Sequence, residues 1–325
     1  PMDDKAPLEK GVSRSLWATP PHPLRRRPIS QPFVTGIRAI DTLMTLGKGQ
    51  RVGLFAGSGV GKSTLMGMIA RKAQADVIVV CLVGERGREV QEFISDSLGP
   101  EGLAKSVLVV STSDSPALVR AKAPATATAI AEHYRDQGLD VLLFIDSLTR
   151  FARAEREIAL SLGEPPARRG FPPSVFARLP ALLERAGNGE KGSITAIYTV
   201  LVEGGDMEEP VTDEVRGIVD GHIMLSRTLA SLGHFPAIDI PGSVSRVMGK
   251  VTTPEHNNRA REVKGLISAL EKSRDLLRVG AYEPGGDPQL DRAVTLMNDL
   301  NAFLCQSGSD SPSFDENLER LYSLK

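Results

Sequence analysis

Residues 56–64 form a glycine-rich segment, AGSGVGKST, that ends in a lysine and two hydroxyl side chains. Glycines let a backbone wrap a phosphate with its N–H groups pointing inward, and a following helix N-terminus adds positive partial charge. In such a P-loop Lys62 would reach the β- and γ-phosphates of ATP, and the hydroxyl of Ser63 would bind Mg²⁺. The candidate nucleotide-binding residues here are Ser58, Gly59, Val60, Gly61, Lys62, Ser63 and Thr64.

The elements on both sides of this segment supply the context that a P-loop requires. Residues 51–55 (RVGLF) predict a short buried strand, and residues 65–72 (LMGMIARK) predict a helix. One departure from G-x-x-x-x-G-K-[S/T] is visible, because Ala56 stands where the first glycine is usual. Alanine fits if its φ is negative, and Gly57 and Gly59 keep the loop permissive.

Two carboxylates follow other predicted strands. The apolar run 141–145 leads into Asp146, which fits the aspartate that holds Mg²⁺ beside a P-loop, often through water. Glu85 follows the apolar run 76–83, and a carboxylate there could polarise the water that attacks a γ-phosphate. The sequence GERGRE around Glu85 is equally typical of a solvated charged turn, and spacing alone leaves both interpretations open.

The order of apolar runs indicates how these residues are positioned. Further strands are predicted over 106–111, 193–201 and 222–226, with a helix over 121–136. Crossovers of this length between apolar strands predict an α/β fold with a mainly parallel central sheet flanked by helices, and the glycine-rich segment adds the P-loop of an NTPase. Because ligands bind at the carboxyl ends of strands in such sheets, one crevice could collect the P-loop and both carboxylates.

From about residue 254 the pattern becomes helical. Apolar residues recur at three- and four-residue spacing over 257–279 and 289–305, with a turn-rich break at 280–288. A last helix is predicted over 314–324. The expected parts are a proline-rich connector (1–32), a RecA-like ATPase domain (33–253) and a small helical C-terminal domain (254–325).

Prolines dominate the connector, so we expect an extended segment that wraps a surface. The run Arg25, Arg26 and Arg27 is typical of a solvated charge cluster, and a specific partner contact is the less common alternative. The opening PMDD does not resemble a natural N-terminus, which leads us to expect a fragment whose upstream domain is missing.

Composition excludes several classes of function. The net charge of −1 gives no global basic field that would attract nucleic acid. Cys81 and Cys305 are too few for a disulfide framework and fit a reducing cytosol. The five histidines do not cluster at metal-ligand spacing, and no stretch reaches the ~18 apolar residues of a membrane span.

Several longer motifs are more specific than these patterns. They are VGERGREV (83–90), DSLTRFA (146–152), GEPP (163–166), FPPSVF (171–176), SITAIYTVLVEG (193–204) and DGHI (220–223). They resemble the type III secretion ATPases, which include the flagellar export and injectisome ATPases and are similar in turn to the catalytic subunits of rotary ATP synthases. The resemblance runs from about residue 28 to 324. Family members carry an N-terminal β-barrel domain of ~80–100 residues, which this sequence lacks.

The resemblance implies roles for individual residues. Glu85 matches the glutamate that activates the hydrolytic water, and Arg86 matches an arginine near the γ-phosphate. Arg246, within GSVSRV, matches an arginine finger that reaches the γ-phosphate held by the neighbouring subunit. Without the resemblance, Arg246 would be interpreted as surface charge on a loop. Phe235 matches the aromatic side chain that packs on adenine, with core packing nearly as plausible, and Phe303 is a candidate second wall of that pocket. Lys62 and Ser63 match the phosphate-binding lysine and the Mg²⁺ ligand, and Asp146 matches the Walker-B aspartate.

The resemblance also implies a reaction and partners. MgATP would be hydrolysed to ADP and phosphate by a homohexamer, because the arginine finger must come from a neighbour. The ring would lie in the cytoplasm, peripheral to the inner membrane, at the base of a type III export apparatus with its stalk and regulator subunits. It would release chaperones from cargo proteins, unfold the cargo and help to export it, with the C-terminal helices contacting chaperone–cargo complexes.

Two other functions remain open at this stage. A rotary ATP synthase subunit would have a different C-terminal domain and would copurify with a rotary membrane complex. A RecA-like nucleic-acid translocase would need a basic channel loop or a single-strand-binding fold, and neither is visible. Salt-sensitive binding of single-stranded RNA or DNA would favour the translocase.

Overall fold

The computed structural model describes residues 6, 11 and 13–324. The opening PMDD, on which the expectation of a fragment rests, lies outside the described residues. The strands in the described part are β1 (Pro32–Phe33), β2 (Leu46–Gly47), β3 (Arg51–Ala56), β4 (Val77–Glu85), β5 (Ser106–Thr112), β6 (Asp140–Asp146), β7 (Gly187–Asn188), β8 (Ser193–Leu201), β9 (Gly221–Leu225) and β10 (Ile238–Ser245).

The helices form two groups along the chain. Those placed among the strands are α1 (Arg38–Leu43), α2 (Lys62–Lys72), α3 (Gly87–Glu92), α4 (Gly99–Ala104), α5 (Ala117–Asp136), α6 (Leu148–Ser161), α7 (Pro173–Leu183), α8 (Pro210–Ile218) and α9 (Arg227–Ser231). Those after the last strand are α10 (Met248–Val251), α11 (Pro254–Lys272), α12 (Arg274–Arg278), α13 (Pro288–Thr295), α14 (Met297–Leu304) and α15 (Phe314–Ser323). Within the described residues, none of these helices combines the length and apolarity needed to cross a membrane.

The central sheet has the strand order β10-β9-β3-β8-β6-β4-β5, and β7 pairs with the start of β8. All neighbours from β9 to β5 run parallel, whereas β10 is an antiparallel strand at one edge. The strands predicted from apolar runs correspond to β3, β4, β5, β6, β8 and β9. The prediction of a mainly parallel sheet flanked by helices is therefore confirmed.

The apolar runs of the central strands reflect burial on both faces of the sheet. In β4, Ile78 and Val80 pack in an apolar cluster with α1 and α2, while Val79 and Cys81 pack in a second cluster with α5, α6, α7 and α8. Alternate side chains of one strand thus serve opposite layers. Because β3, β4 and β6 are parallel, their last residues reach the same edge of the sheet.

The short α10 precedes the change in the sequence pattern at about residue 254, and α11 follows it directly. α11 starts at Pro254, directly after its capping residue Thr253. The two long helices predicted there are each divided, one at Ser273 and one at Leu296. The predicted boundary at residue 253 coincides with the start of α11, but a single apolar cluster joins α11, α13, α14 and α15 to α1 and α2.

Among the three arginines of the connector, Arg25 and Arg27 are exposed, as expected for a solvated cluster, whereas Arg26 is half-buried. Arg26 donates a 2.7 Å hydrogen bond to the carbonyl oxygen of Ala186, and Arg27 donates to that of Gly189 at 3.2 Å. Arg25 remains exposed. The irregular backbone around β7 offers carbonyl oxygens that need donors, so two of the three arginines fasten the connector to the sheet.

Candidate active site

The P-loop leaves β3 and enters α2. Ala56 is the last residue of β3 and does not adopt a positive φ, so the departure from glycine is accommodated. Gly59 and Gly61 have φ of 75° and 88°, values that L side chains rarely adopt. A Cβ on Gly57 would lie 2.8 Å from Nε of Arg227, at the flexible end of a side chain that would have to move aside.

The N-terminus of α2 is open for an anion. Its capping residue is Gly61, which has no side chain to satisfy the free N–H groups of the first turn. Ser58, Ser63 and Thr64 are exposed around these groups, and Val60 anchors the loop in the core. Backbone donors, hydroxyls and the helix dipole together fit a phosphate chain.

Lys62 stands between the two carboxylates that follow β4 and β6. Its ammonium group donates a short hydrogen bond to Oδ1 of Asp146 and lies 3.7 Å from Oε1 of Glu85. Oδ1 of Asp146 also accepts a 2.6 Å hydrogen bond from the hydroxyl of Thr199 on β8. The parallel sheet thus brings together three charged groups that are distant in sequence.

A backbone irregularity aims Glu85 into the site. The register of β4 shifts between Val83 and Glu85, at the intervening Gly84, whose φ is 65°. A Cβ on Gly84 would lie 3.1 Å from the side chain of Arg150, and Nη1 of Arg150 lies 2.5 Å from Oε2 of Glu85. The bulge and the missing side chain allow Glu85 to meet Arg150.

The charge state of Glu85 is set by opposing influences. Its pKa is raised to about 7, chiefly by burial, with further contributions from a hydrogen bond to Glu89 and the negative charge of Asp146. Lys62 and Arg150 oppose this rise in the pKa because they favour the carboxylate. A carboxyl group with a pKa near neutrality is suited to exchange protons with water.

A cavity of about 350 Å³ connects these groups, lined by the P-loop, Glu85, Asp146 and Arg150. Phe235 lies beside the loop with its ring 45% exposed. Two ring carbons are 3.5 Å from the position that a Cβ on Gly61 would take. The ring therefore offers a flat apolar surface next to the phosphate-binding loop.

Arg246 lies at the opposite edge of the sheet. Its backbone N–H donates to the carbonyl of Asp220, and the N–H of Asp220 donates to that of Arg51, the first residue of β3. The P-loop follows the other end of β3, roughly 16 Å away at about 3.3 Å per residue. That is well beyond the reach of an arginine side chain, so the exposed Arg246 cannot contact the P-loop of its own chain.

Oxygen donors in the cavity fit a magnesium ion. The hydroxyl of Ser63 and the carboxylate of Asp146 both line it, and Mg²⁺ prefers oxygen ligands. Among the described residues no group of three or more His, Cys, Asp and Glu side chains could hold a metal by itself. The protein therefore supplies part of a magnesium shell, which phosphate oxygens and water would complete.

Comparison with known proteins agrees with this arrangement. Residues 36–245 match the ATP synthase alpha/beta family nucleotide-binding domain, and residues 252–323 match the T3SS EscN ATPase C-terminal domain. The chain belongs to the flagellar and type III secretion ATPases. Because the second match is to a secretion ATPase, it decides against a rotary ATP synthase subunit. The resemblance to the type III secretion ATPases, which the sequence motifs indicated, is therefore confirmed.

Relatives within this secretion ATPase family cover the whole chain. The flagellum-specific ATP synthase of Bacillus subtilis is 53% identical over 326 residues, which span 100% of this chain and 74% of the relative. The type 3 secretion system ATPase of Xanthomonas euvesicatoria is 51% identical, over 100% of this chain and 73% of the relative.

A solved structure shares the fold closely. The assembled ATPase EscN of the enteropathogenic E. coli type III secretion system superposes with a TM-score of 0.95, at 54% identity, over 99% of this chain and 78% of that chain. The ATP synthase subunit NeqB of Nanoarchaeum equitans is more distant, with a TM-score of 0.85 and 26% identity over 92% of this chain and 76% of that chain.

Two predicted site residues of this secretion ATPase lie outside the cavity. The side chain of Arg86 is 76% exposed and pairs with Glu89 at 3.7 Å, because α3 begins directly after it and turns it outward. Phe303 is only 5% exposed, within the apolar core, with the guanidinium of Arg38 5.9 Å from its ring centre. Neither lines the cavity beside the P-loop.

Arg150 is a cavity residue that sequence reasoning missed, and Arg88, Glu89 and Glu92 also line the cavity. Arg150 lies in the first turn of α6, four residues after Asp146. A helix that starts at the carboxyl end of a site-forming strand directs its first turn at the same crevice. The spacing from Asp146 is therefore the signal that could have found Arg150.

Proposed function

We propose that this chain is the ATPase of a bacterial type III protein export apparatus, and that it hydrolyses MgATP at the cavity beside the P-loop. The observation that carries the proposal is the meeting of Lys62, Glu85, Asp146 and Arg150 around one cavity at the carboxyl edge of the sheet. Lys62 is a cation placed to bind phosphate, Glu85 and Asp146 are carboxylates with different surroundings, and Arg150 is a second cation.

The P-loop binds the triphosphate. Its backbone N–H groups and the N-terminus of α2 hold the phosphate oxygens, and Lys62 leaves the two carboxylates to bind the β- and γ-phosphates. Ser63 and Asp146 would hold a magnesium ion, which would neutralise charge on the phosphate oxygens. Thr199 fixes the carboxylate of Asp146 through its hydroxyl.

Glu85 orients the water that attacks the γ-phosphate in line with the leaving oxygen. Its ionised form accepts a hydrogen bond from that water, and Arg150 holds the carboxylate in place. Arg150 also faces the cavity as a positive charge near the developing negative charge of the transferred phosphoryl group. Phe235 offers its exposed ring to the adenine base.

Arg246 completes the site of a neighbouring subunit. Its position at the opposite edge of the sheet supports an arginine finger that acts between chains and not within one. A homohexamer satisfies this requirement, because a closed ring supplies each site with one neighbour. The related EscN has been solved in an assembled form and in complex with its central stalk EscO, which supports a ring with a stalk partner here.

The ring would act in the cytoplasm, at the inner-membrane face of the export apparatus, together with regulator subunits. There it would release chaperones from cargo, unfold the cargo and help to export it, with no nucleic-acid partner. The C-terminal helices α11–α15, which match the EscN C-terminal domain, are the proposed contact for chaperone–cargo complexes.

Lysine substitutions test the proposed site. Lys62→Ala should lower phosphate release from ATP about 100-fold or more, because it removes the cation at the transferred phosphate. Lys72→Ala is the matched control at the other end of α2, where the side chain contacts the carbonyl of Asp310, and should keep turnover within about twofold. Equal turnover of the Lys62 variant and the wild type would refute the proposal.

A further inference from the structure

Gln306 joins the C-terminal helices to two segments of the nucleotide-binding part. It lies just after α14 and is only 5% exposed. Its Oε1 accepts a 2.8 Å hydrogen bond from the N–H of Arg38, and its Nε2 donates at 2.8 Å to the carbonyl of Gly36. Its own backbone N–H donates at 3.0 Å to the carbonyl of Phe235.

The side chain of Gln306 is anchored to a rigid element. The N-cap residue of α1, Ile37, makes no side-chain capping hydrogen bond, and the amide of Gln306 supplies the missing acceptor to the first turn. Arg38 adds a second tie, because its buried guanidinium donates at 2.8 Å to the carbonyl of Phe303 in α14. These contacts fix the backbone of Gln306.

Phe235 needs such support because it lies in the loop between α9 and β10. Phe235 is 45% exposed, and two of its ring carbons lie 3.5 Å from the position that a Cβ on Gly61 would take. Because the ring is on a short loop and is partly exposed, burial alone does not hold it in one place. The hydrogen bond from Gln306 fixes the main chain at the residue that carries the ring.

We propose that Gln306 is a positioning residue that holds Phe235 against the P-loop and so sets the affinity for the base of the nucleotide. The inference rests on the proposed function, in which Phe235 packs on adenine. The base end of the site thus depends on the C-terminal helices, whereas Lys62, Glu85 and Asp146 at the phosphate end all come from the sheet and α2. The affinity of the protein for the base can therefore change without a change in its affinity for the phosphates.

Titration calorimetry with two ligands tests this separation in the full chain with Mg²⁺. Gln306→Leu removes the side-chain hydrogen bonds to Arg38, Gly36 and Asp310 at similar volume. It should raise the dissociation constant for ATP about five- to tenfold, as expected for partial loss of base stacking. The dissociation constant for tripolyphosphate, which has no base, should stay within about twofold of the wild type.

Asn317→Leu is the matched control. Asn317 is a second buried amide of the C-terminal helices, and its Oδ1 accepts a 3.2 Å hydrogen bond from Nε of Arg38. It has no hydrogen bond to Phe235, so its substitution should change neither dissociation constant beyond about twofold. If both variants weaken ATP binding equally, Gln306 acts through general stability and the inference is wrong.

A double variant shows whether Gln306 acts through Phe235. Phe235→Ala alone should weaken ATP binding, and adding Gln306→Leu should produce no further loss. If Gln306→Leu does not fold, Gln306→Glu serves instead, since it keeps the acceptor for Arg38 and loses the donor to Gly36; the same selective loss of ATP affinity is expected.

Failure of the inference differs from failure of the proposed function. If the wild type binds tripolyphosphate through Lys62 but Gln306→Leu binds ATP as tightly as the wild type, only the role of Gln306 is overturned. If the wild type does not bind tripolyphosphate, or Lys62→Ala binds it equally well, the proposed phosphate site fails and the inference fails with it.

Discussion

Nη1 of Arg150 lies 2.5 Å from Oε2 of Glu85, which pairs a buried carboxylate at the end of β4 with a cation from the first turn of α6. Glu85 is the last residue of β4, and Arg150 belongs to the helix that follows β6. The strands β4 and β6 are neighbours in the sheet. Burial raises the pKa of Glu85, and Arg150 opposes that rise. Arg150 therefore favours the ionised form of Glu85 at neutral pH, together with Lys62.

Glu85→Gln should bind MgATP with nearly unchanged affinity but hydrolyse it about 10²- to 10⁴-fold more slowly, because an amide cannot accept the proton of the attacking water. Phosphate release and equilibrium nucleotide binding measure the two effects separately. Glu157→Gln is the control, since Glu157 is exposed on α6, pairs with Arg120 and does not line the cavity; its turnover should stay within about twofold of the wild type. Near-normal turnover of Glu85→Gln would remove Glu85 from the mechanism.

The pH dependence of hydrolysis follows from the pKa of Glu85, which is raised to about 7. The ionised form is the active one, so kcat/KM should fall as the pH drops below about 7 and level off above it. The ATPase assay from pH 5.5 to 9 gives this profile for the free enzyme. A profile that stays flat down to pH 5.5 would show that the ionisation of Glu85 does not limit turnover.

Arg150→Met should move the acid limb of that profile to higher pH, because the variant loses the positive charge that favours the carboxylate of Glu85. The plateau value of kcat should also fall, since the cation facing the phosphoryl group is lost. Arg156→Met is the control on the same helix: its guanidinium lies 5.3 Å from the ring centre of Phe171 and away from Glu85. A limb that moves in both variants, or in neither, would contradict the assigned role.

Arg38→Met should destabilise the protein by about 1–3 kcal/mol, because buried acceptors on the C-terminal helices lose their donor. Arg38 is fully enclosed and donates to Phe303 and Asn317. Denaturant unfolding measures the change in free energy. Arg261→Met, at an exposed position of α11, should change stability by less than about 0.5 kcal/mol. A neutral result for Arg38→Met would mean that this network adds nothing to stability.

The sequence predicts the phosphate end of the site well, for a physical reason. Parallel strands buried on both faces read as apolar runs, and their carboxyl ends share one edge, so Glu85 and Asp146 could be placed beside the P-loop before any coordinates existed. β10 escaped prediction because Pro241 and Gly242 interrupt it and its pairing with β9 shifts register between Asp239 and Val244.

The remaining site features depend on contacts with no local pattern. Arg86 and Arg150 are both arginines near a strand end, and only the orientation of α3 and α6 decides which one faces Glu85. Phe303 follows helical spacing whether it packs in a core or lines a pocket. Gln306 meets Arg38 across 268 positions of sequence, and a single polar residue after a helix carries no sign of such a partner.

The central claim is that Glu85 acts on the nucleotide of its own chain while Arg246 acts on that of a neighbour. Glu85→Gln and Arg246→Ala should each be nearly inactive in the assembled protein, the latter by about 10³-fold or more. Arg246→Ala should still bind ATP normally as a dilute chain, because Arg246 lies at the far edge of the sheet from its own P-loop.

Mixing the two inactive variants at equal amounts under assembling conditions tests this claim most directly. A site regains both groups when an Arg246→Ala chain binds ATP beside a Glu85→Gln chain. Random assembly makes that arrangement at about one half times one half, or roughly a quarter, of the sites. The account predicts that ATPase activity recovers to about a quarter of the wild-type value. A mixture that assembles but stays as inactive as its components would contradict it.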